Sequence, residues 1–168
     1  MTAQRQESYG PGPEIALFAL LVAVFTLFGP TPATRATTTE RIVVNRYSGL
    51  AIQGFDPVAY FTDALALRGL PEYEAWEAGA VWRFRNAGNR DAFAAHPEIY
   101  SPQFGGYDPI EVGRGVAFAG NPRFFVVTAQ RLYLFAREES RSAFAADPDR
   151  FSGQALARWP DLQGSLAR

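Results

Sequence analysis

The chain has 168 residues, among them 14 Phe, 7 Tyr and 3 Trp, enough for one aromatic-rich core without covalent staples. It has no cysteine, and all 16 of its basic residues are arginine, which excludes disulfides, thiolate metal sites, a cysteine nucleophile, a lysine Schiff base and a phosphate-loop lysine. A formal charge of -1 without basic clustering argues against nucleic acid as a partner.

The first fourteen residues are polar and carry Gly10, Pro11, Gly12 and Pro13, which favours irregular chain. Residues 15–28, opening on Ile15 and closing on Phe28, are apolar and uncharged. As a helix they would cover roughly 21 Å, short of a ~30 Å hydrocarbon layer. The run fits the apolar part of a secretory signal, with Thr34, Arg35 and Ala36 as a small-residue cleavage site, or a retained N-terminal hydrophobic helix that anchors the chain. A buried core helix is the plainer alternative, and the Pro/Gly-rich flanks count against it. Residues 1–36 are therefore expected to be a signal peptide or membrane anchor, residues 37–49 a linker and residues 50–168 the folded domain. The linker ends on Ile42, Val43 and Val44, an edge-strand candidate.

Asp56 followed by Pro57 predicts a helix start, an oxygen cap before a residue of fixed φ. Residues 65–68 and 73–76 read as short strands around the turn at Gly69, Leu70 and Pro71, and a further strand at Val81 to Phe84 makes a small antiparallel meander. Asn86 then offers a cap to a helix containing Ala92, Phe93 and Ala95, and Pro97 stops it, leaving His96 at the helix end. The pattern recurs near the C-terminus. Phe84, Arg90, Phe93, Pro97 and Tyr100 correspond at one constant offset to Phe135, Arg141, Phe144, Pro148 and Phe151. The fold class expected is α+β, a small antiparallel sheet with short helices built from two pseudo-repeated strand-helix units that share one core.

Several stretches together resemble the exported bacterial branch of the YHS-domain proteins: residues 54–61 (Gly-Phe-Asp-Pro-Val-Ala-Tyr-Phe), Phe84, residues 89–93, residues 96–107 from His96 to Tyr107, residues 132–134 and Trp159-Pro160. The resemblance runs from about Ala51 to Leu162. It implies a small α+β domain held at the cell envelope, periplasmic or anchored to the inner membrane. YHS-type and related small domains elsewhere are linked to metal handling through cysteines. Where family members place a cysteine and an alanine, this chain has Asp108 and Pro109 after Tyr107.

The candidate chemistry is thin. His96 is the lone histidine, and an imidazole can act as a base or ligand, but a helix-terminal role is the better reading, since the repeat puts Asp147 at the same place. One histidine with Asp108 or Glu98 is a poor set for zinc or copper. Asp56 and Asp108 could pair as carboxylates, yet each precedes proline, as a cap or turn residue does. Ser101 lacks a nucleophile elbow. Gly105 and Gly106 could admit a ligand to the backbone, though a turn needing positive φ is commoner. Tyr100, Phe104 and Tyr107 line a pocket or close the core, the latter being favoured.

The function expected is a non-catalytic envelope module that binds a partner or ligand through the loop of Tyr100, Phe104, Gly105, Gly106, Tyr107 and Asp108, with Asp56 and His96 nearby and no cofactor. It would be an accessory subunit of a membrane complex or bind an envelope protein. That expectation carries an exposed apolar patch around Phe104, Tyr107 and the glycine-rich loop. The alternative is a metal-binding or enzymatic domain in which His96 converges with Asp56 or Asp108.

Overall fold

A computed structural model describes residues 41–166, and the apolar run at residues 15–28, with its signal or anchor reading, lies outside the described residues. The described part is α+β, with six helices and two separate two-stranded antiparallel sheets rather than the single sheet expected. The first hairpin pairs β1 (Leu70–Glu77) with β2 (Ala80–Phe84), and the second pairs β3 (Asn121–Thr128) with β4 (Arg131–Phe135). The helices are α1 (Ala59–Thr62), α2 (Ala87–Ala95), α3 (Pro97–Tyr100), α4 (Pro109–Gly113), α5 (Glu138–Ala146) and α6 (Pro148–Ser165).

The repeat is larger than the strand-helix unit visible in the sequence. Each half opens on a 3-10 turn, Ile52–Gly54 or Gln103–Gly106, followed by an aspartate, a proline and a short helix. A hairpin, a nine-residue helix and a second proline-initiated helix then follow in both. The correspondence holds at the level of single hydrogen bonds. The Asp56 amide donates to the Leu67 carbonyl and the Asp108 amide to the Phe118 carbonyl, with one residue fewer spanning the second pair; Gly69 donates to Gly54, and Gly120 to Gly106. Both hairpins carry a bulge at the same place, between Leu70 and Glu74 and between Asn121 and Phe125.

The bulge explains why residues 65–68 are not the strand the sequence suggested. Arg68 makes only an isolated antiparallel bridge to Phe55, because the segment is tied to the first 3-10 turn and not to a neighbouring strand. The strand begins instead at Leu70 and tolerates Pro71, which sits in the irregular part of the ladder where a missing amide is not needed. Gly69 and Gly120 are glycine for reasons of space. A Cβ on Gly120 would lie 2.7 Å from the Gly106 oxygen and from the Leu134 Cβ, and one on Gly69 would meet the backbone at Arg83 and Phe84.

Two cores result. Phe93 fills the first, against Trp82 (ring centroids 4.9 Å) and Phe84 (5.2 Å), and Phe144 fills the second, against Tyr133 (4.7 Å) and Phe135 (5.1 Å). The cores are not equivalent in what covers them. Because strand side chains alternate, Tyr133 and Phe135 face the second core while Leu132 and Leu134 face the first. Phe125 and Val127 of β3 join them there; Phe125 packs edge-on to Tyr60 at 4.8 Å, and the Tyr60 hydroxyl donates to the Pro122 carbonyl at 2.8 Å. The second copy thus lays the outer face of its hairpin on the first. The second core is closed instead by the long α6, which brings Ala155, Trp159 and Leu162, with Leu166 just beyond it, over Ile110 and Val112.

Residues 41–44 are a strap and not an edge strand. Val43 donates to the Gly105 carbonyl (2.8 Å) and accepts from the Ile52 amide (3.0 Å), so it spans the two 3-10 turns, and Val44 makes a single bridge to Ala51. Ile42 and Val44 pack on the first core and Val43 on the second.

Candidate functional site

Six of the eight residues expected to bind, Asp56 and Phe104 to Asp108, are inside the protein, and Tyr100 and His96 are not. Phe104 is 6% exposed and Tyr107 3% exposed, and Gly105 and Gly106 are buried with them. The apolar patch expected around them is absent because Trp159 covers both rings, at 5.7 Å from Phe104 and 6.3 Å from Tyr107. Core closure, the favoured reading of Phe104 and Tyr107, is what these contacts amount to. The exposed apolar residues nearest in sequence are Val116 and Phe118, in the loop that bridges back to Tyr107 through Ala119. Tyr100 is half-buried and stacks edge-on against Phe61 at 5.3 Å, on the first copy's side.

Gly105 and Gly106 adopt φ of 63° and 89°, as a turn reading requires, and Phe104 itself is left-handed at 54°. Gly105 has a second reason to lack a side chain. A Cβ there would fall well inside 3.0 Å of the Arg41 carbonyl oxygen, so the strap can cross only over glycine. The matching position of the first copy, which no strap crosses in this way, is Gln53 with φ of 58°.

Asp56 and Asp108 are fully buried and are spent on the backbone. Asp56 accepts from the amides of Val58 (2.8 Å), Ala59 (3.3 Å) and Arg85 (2.7 Å) and from the Asn89 side-chain nitrogen (2.7 Å). Asp108 accepts from the amides of Ile110 (2.9 Å) and Ala136 (2.8 Å). Each carboxylate therefore starts a short helix with one oxygen and pins the end of its hairpin with the other. Above Asp56, burial first and the carboxylate second push the Tyr60 hydroxyl well above its ordinary range.

His96 ends α2 and precedes α3, as its place before proline predicts. Its side chain is 60% exposed, and Nδ1 lies 3.4 Å from Glu98 Oε1, a loose pair at the surface. Neither Asp56 nor Asp108 is among its hydrogen-bond partners, because both are committed beneath their own helix starts. No group of three His, Asp or Glu side chains able to hold a metal occurs among the described residues. No helix among them is long and apolar enough to cross a membrane.

No protein-family model, curated protein or solved structure matches this chain.

A further open face lies on the first hairpin. The residues of β1 and β2 that match Phe125, Val127, Leu132 and Leu134 are Glu74, Trp76, Val81 and Arg83, and nothing of the second copy covers them. Trp76 is 71% exposed. It stands beside Val81, its partner across the ladder, at a groove of about 490 Å³ that Ile42, Val44, Gly49 and Arg41 complete. Glu74 and Arg83, also cross-strand partners, close a salt bridge of 2.7 Å on the same face. Arg41 Nε, at the groove wall, is the one buried side-chain nitrogen or oxygen among the described residues with no hydrogen-bond partner. None of these residues was singled out from the sequence. The available signal was the repeat itself, since the apolar Phe125 and Leu134 of the second copy become Glu74 and Arg83 in the first while Trp76, opposite Val127 in the matching, stays apolar.

Proposed function

We propose that this chain is a non-catalytic module of the cell envelope, a divergent YHS-like domain that works by holding a protein partner on the outer face of its first hairpin. The partner is an envelope protein, a second copy of the chain included, or a membrane complex to which the chain is an accessory subunit. The observation that carries the reading is the exposure of Trp76 on a face whose counterpart in the second copy is packed. An aromatic anchor beside a groove is the usual centre of a protein contact, and Trp76 adjoins the apolar Ile42, Val44 and Val81 rather than standing alone. The buried acids support it from the other side, because Asp56 and Asp108 are fully buried and spent on backbone amides, out of reach of a substrate in solution. Residues 15–28 supply the route to the envelope, as an export signal or an anchor.

Purification of the full chain from membranes tests the reading. A partner, another protein or an untagged copy of the chain, should be retained by the wild type and lost from Trp76→Arg, while His96→Ala retains it. Stoichiometric metal in the wild type that His96→Ala removes would overturn the proposal in favour of a metal-binding domain.

A further inference from the structure

The outer face of the first hairpin is half of a contact the chain has already made once. In the second copy the same strand positions are Phe125, Val127, Leu132 and Leu134, and they sit on the first copy's 3-10 turn and α1. A neighbour that repeated this arrangement would need a free surface of that kind. Neither is free, since the first copy's lies under its own second hairpin and the second copy's lies under α6. Head-to-tail growth is thereby blocked, and the face that remains can be matched by its own kind.

It is built to match itself. Trp76 is a knob, and the groove lined by Ile42, Val44 and Val81 next to it is a hole. Glu74 and Arg83 put one charge of each sign on the face, so a two-fold rotation brings acid to base and base to acid. Arg41 adds a cationic side chain to the groove lining, which a carboxylate of the opposite copy complements. From these observations we infer that the partner held by this face is a second copy of the chain, in a closed two-fold dimer with each Trp76 seated in the other's groove. This rests on the contact reading given above.

The absence of cysteine makes the test direct. In the full chain, Val81→Cys places a unique thiol at the groove and Leu156→Cys a unique exposed thiol on α6. A short bismaleimide should link Val81→Cys chains into dimers and leave Leu156→Cys monomeric. Adding Trp76→Arg should weaken the dimer on the order of tenfold or more, the usual cost of removing a central aromatic anchor. Glu74→Arg chains and Arg83→Glu chains should each dimerise poorly alone and pair with each other when mixed, a pattern that separates pairing across the axis from the Glu74–Arg83 bridge within one chain.

Linkage of Val81→Cys to a different protein would overturn the second copy as partner while leaving the contact reading intact. A monomer whose Val81→Cys thiol reacts freely with maleimide would overturn both. A monomer whose thiol is shielded until Trp76→Arg is added would also overturn both, since the chain would then be covering its own face.

Discussion

Asp56 illustrates how one buried side chain fixes two elements. Replacing it with alanine strands the amides of Val58 and Arg85 and the Asn89 nitrogen together. Asp56→Ala should cost about 2–4 kcal/mol in urea unfolding, more than an exposed cap would, because each abandoned donor is desolvated. Gly105→Ala should cost about 1–3 kcal/mol by pushing the strap off the second 3-10 turn, whereas Gly79→Ala, with nothing within 4 Å, should cost only its backbone strain, about 1 kcal/mol. Tyr60 sets an alkaline limit. Its folded pKa is raised above the ordinary 10.0, so the folded chain keeps a proton that the unfolded chain releases. That contribution is complete below about pH 10 and is lost as pH rises further. Urea midpoints should fall above pH 10 in the wild type and fall less steeply in Tyr60→Phe. Tyr133, also raised by burial, leaves a residual slope in the variant.

Comparing the two copies element by element shows the same shape reached by different local means. Asn86 caps α2 by accepting from the Asn89 amide at 2.8 Å, but its counterpart Arg137 makes no side-chain cap. In compensation, α5 carries Glu138 and Glu139 in its first turn, where negative charge favours the helix start. Asn86→Ala should therefore destabilise by about 1 kcal/mol, and Arg137→Ala should act through its 2.6 Å ion pair with Glu111 and not through the helix end. The hairpin turns differ likewise. Ala78 and Gly79 take φ of 50° and 82°, while the second hairpin puts Ala129 and Gln130 at 48° and 55° without a glycine. Gln130→Gly should raise the thermal midpoint, by about 1 kcal/mol of relieved strain. The elements with periodic or capped sequence were legible: β2, β4, the helix from Asn86 to His96 and the two aspartate starts. The strap was not, because three aliphatic residues alone do not tell a strand from a segment whose amides bond to two different turns. Nor was the burial of the glycine loop, since the residue that covers it, Trp159, lies far along the chain.

At the scale of the molecule, the three tryptophans report three places: Trp82 the first core, Trp159 the second and Trp76 the open face. In each single-tryptophan variant keeping Trp82 or Trp159, the fluorescence and far-ultraviolet circular dichroism transitions in urea should coincide, because Leu132 and Leu134 couple the halves. Leu134→Ala should cost about 2–5 kcal/mol and lower both midpoints together, although the residue belongs to the second copy and the cavity opens in the first. The duplication was visible in the sequence as five matched residues. Its full extent was hidden by the single residue dropped between Asp108 and Phe118, which breaks the register between the helix start and the hairpin. The open face stayed unread for a different reason. Alternating Glu74 and Trp76 looks like an ordinary solvated strand edge until its twin is seen packed.

The seating of Leu132 and Leu134 in the first core also orders events in time. Translation delivers residues 50–100 first, yet that front half lacks two of its interior side chains until β4 has left the ribosome. The late-made half therefore licenses the early one, and nascent chains arrested before residue 131 should stay open to proteases across residues 50–100.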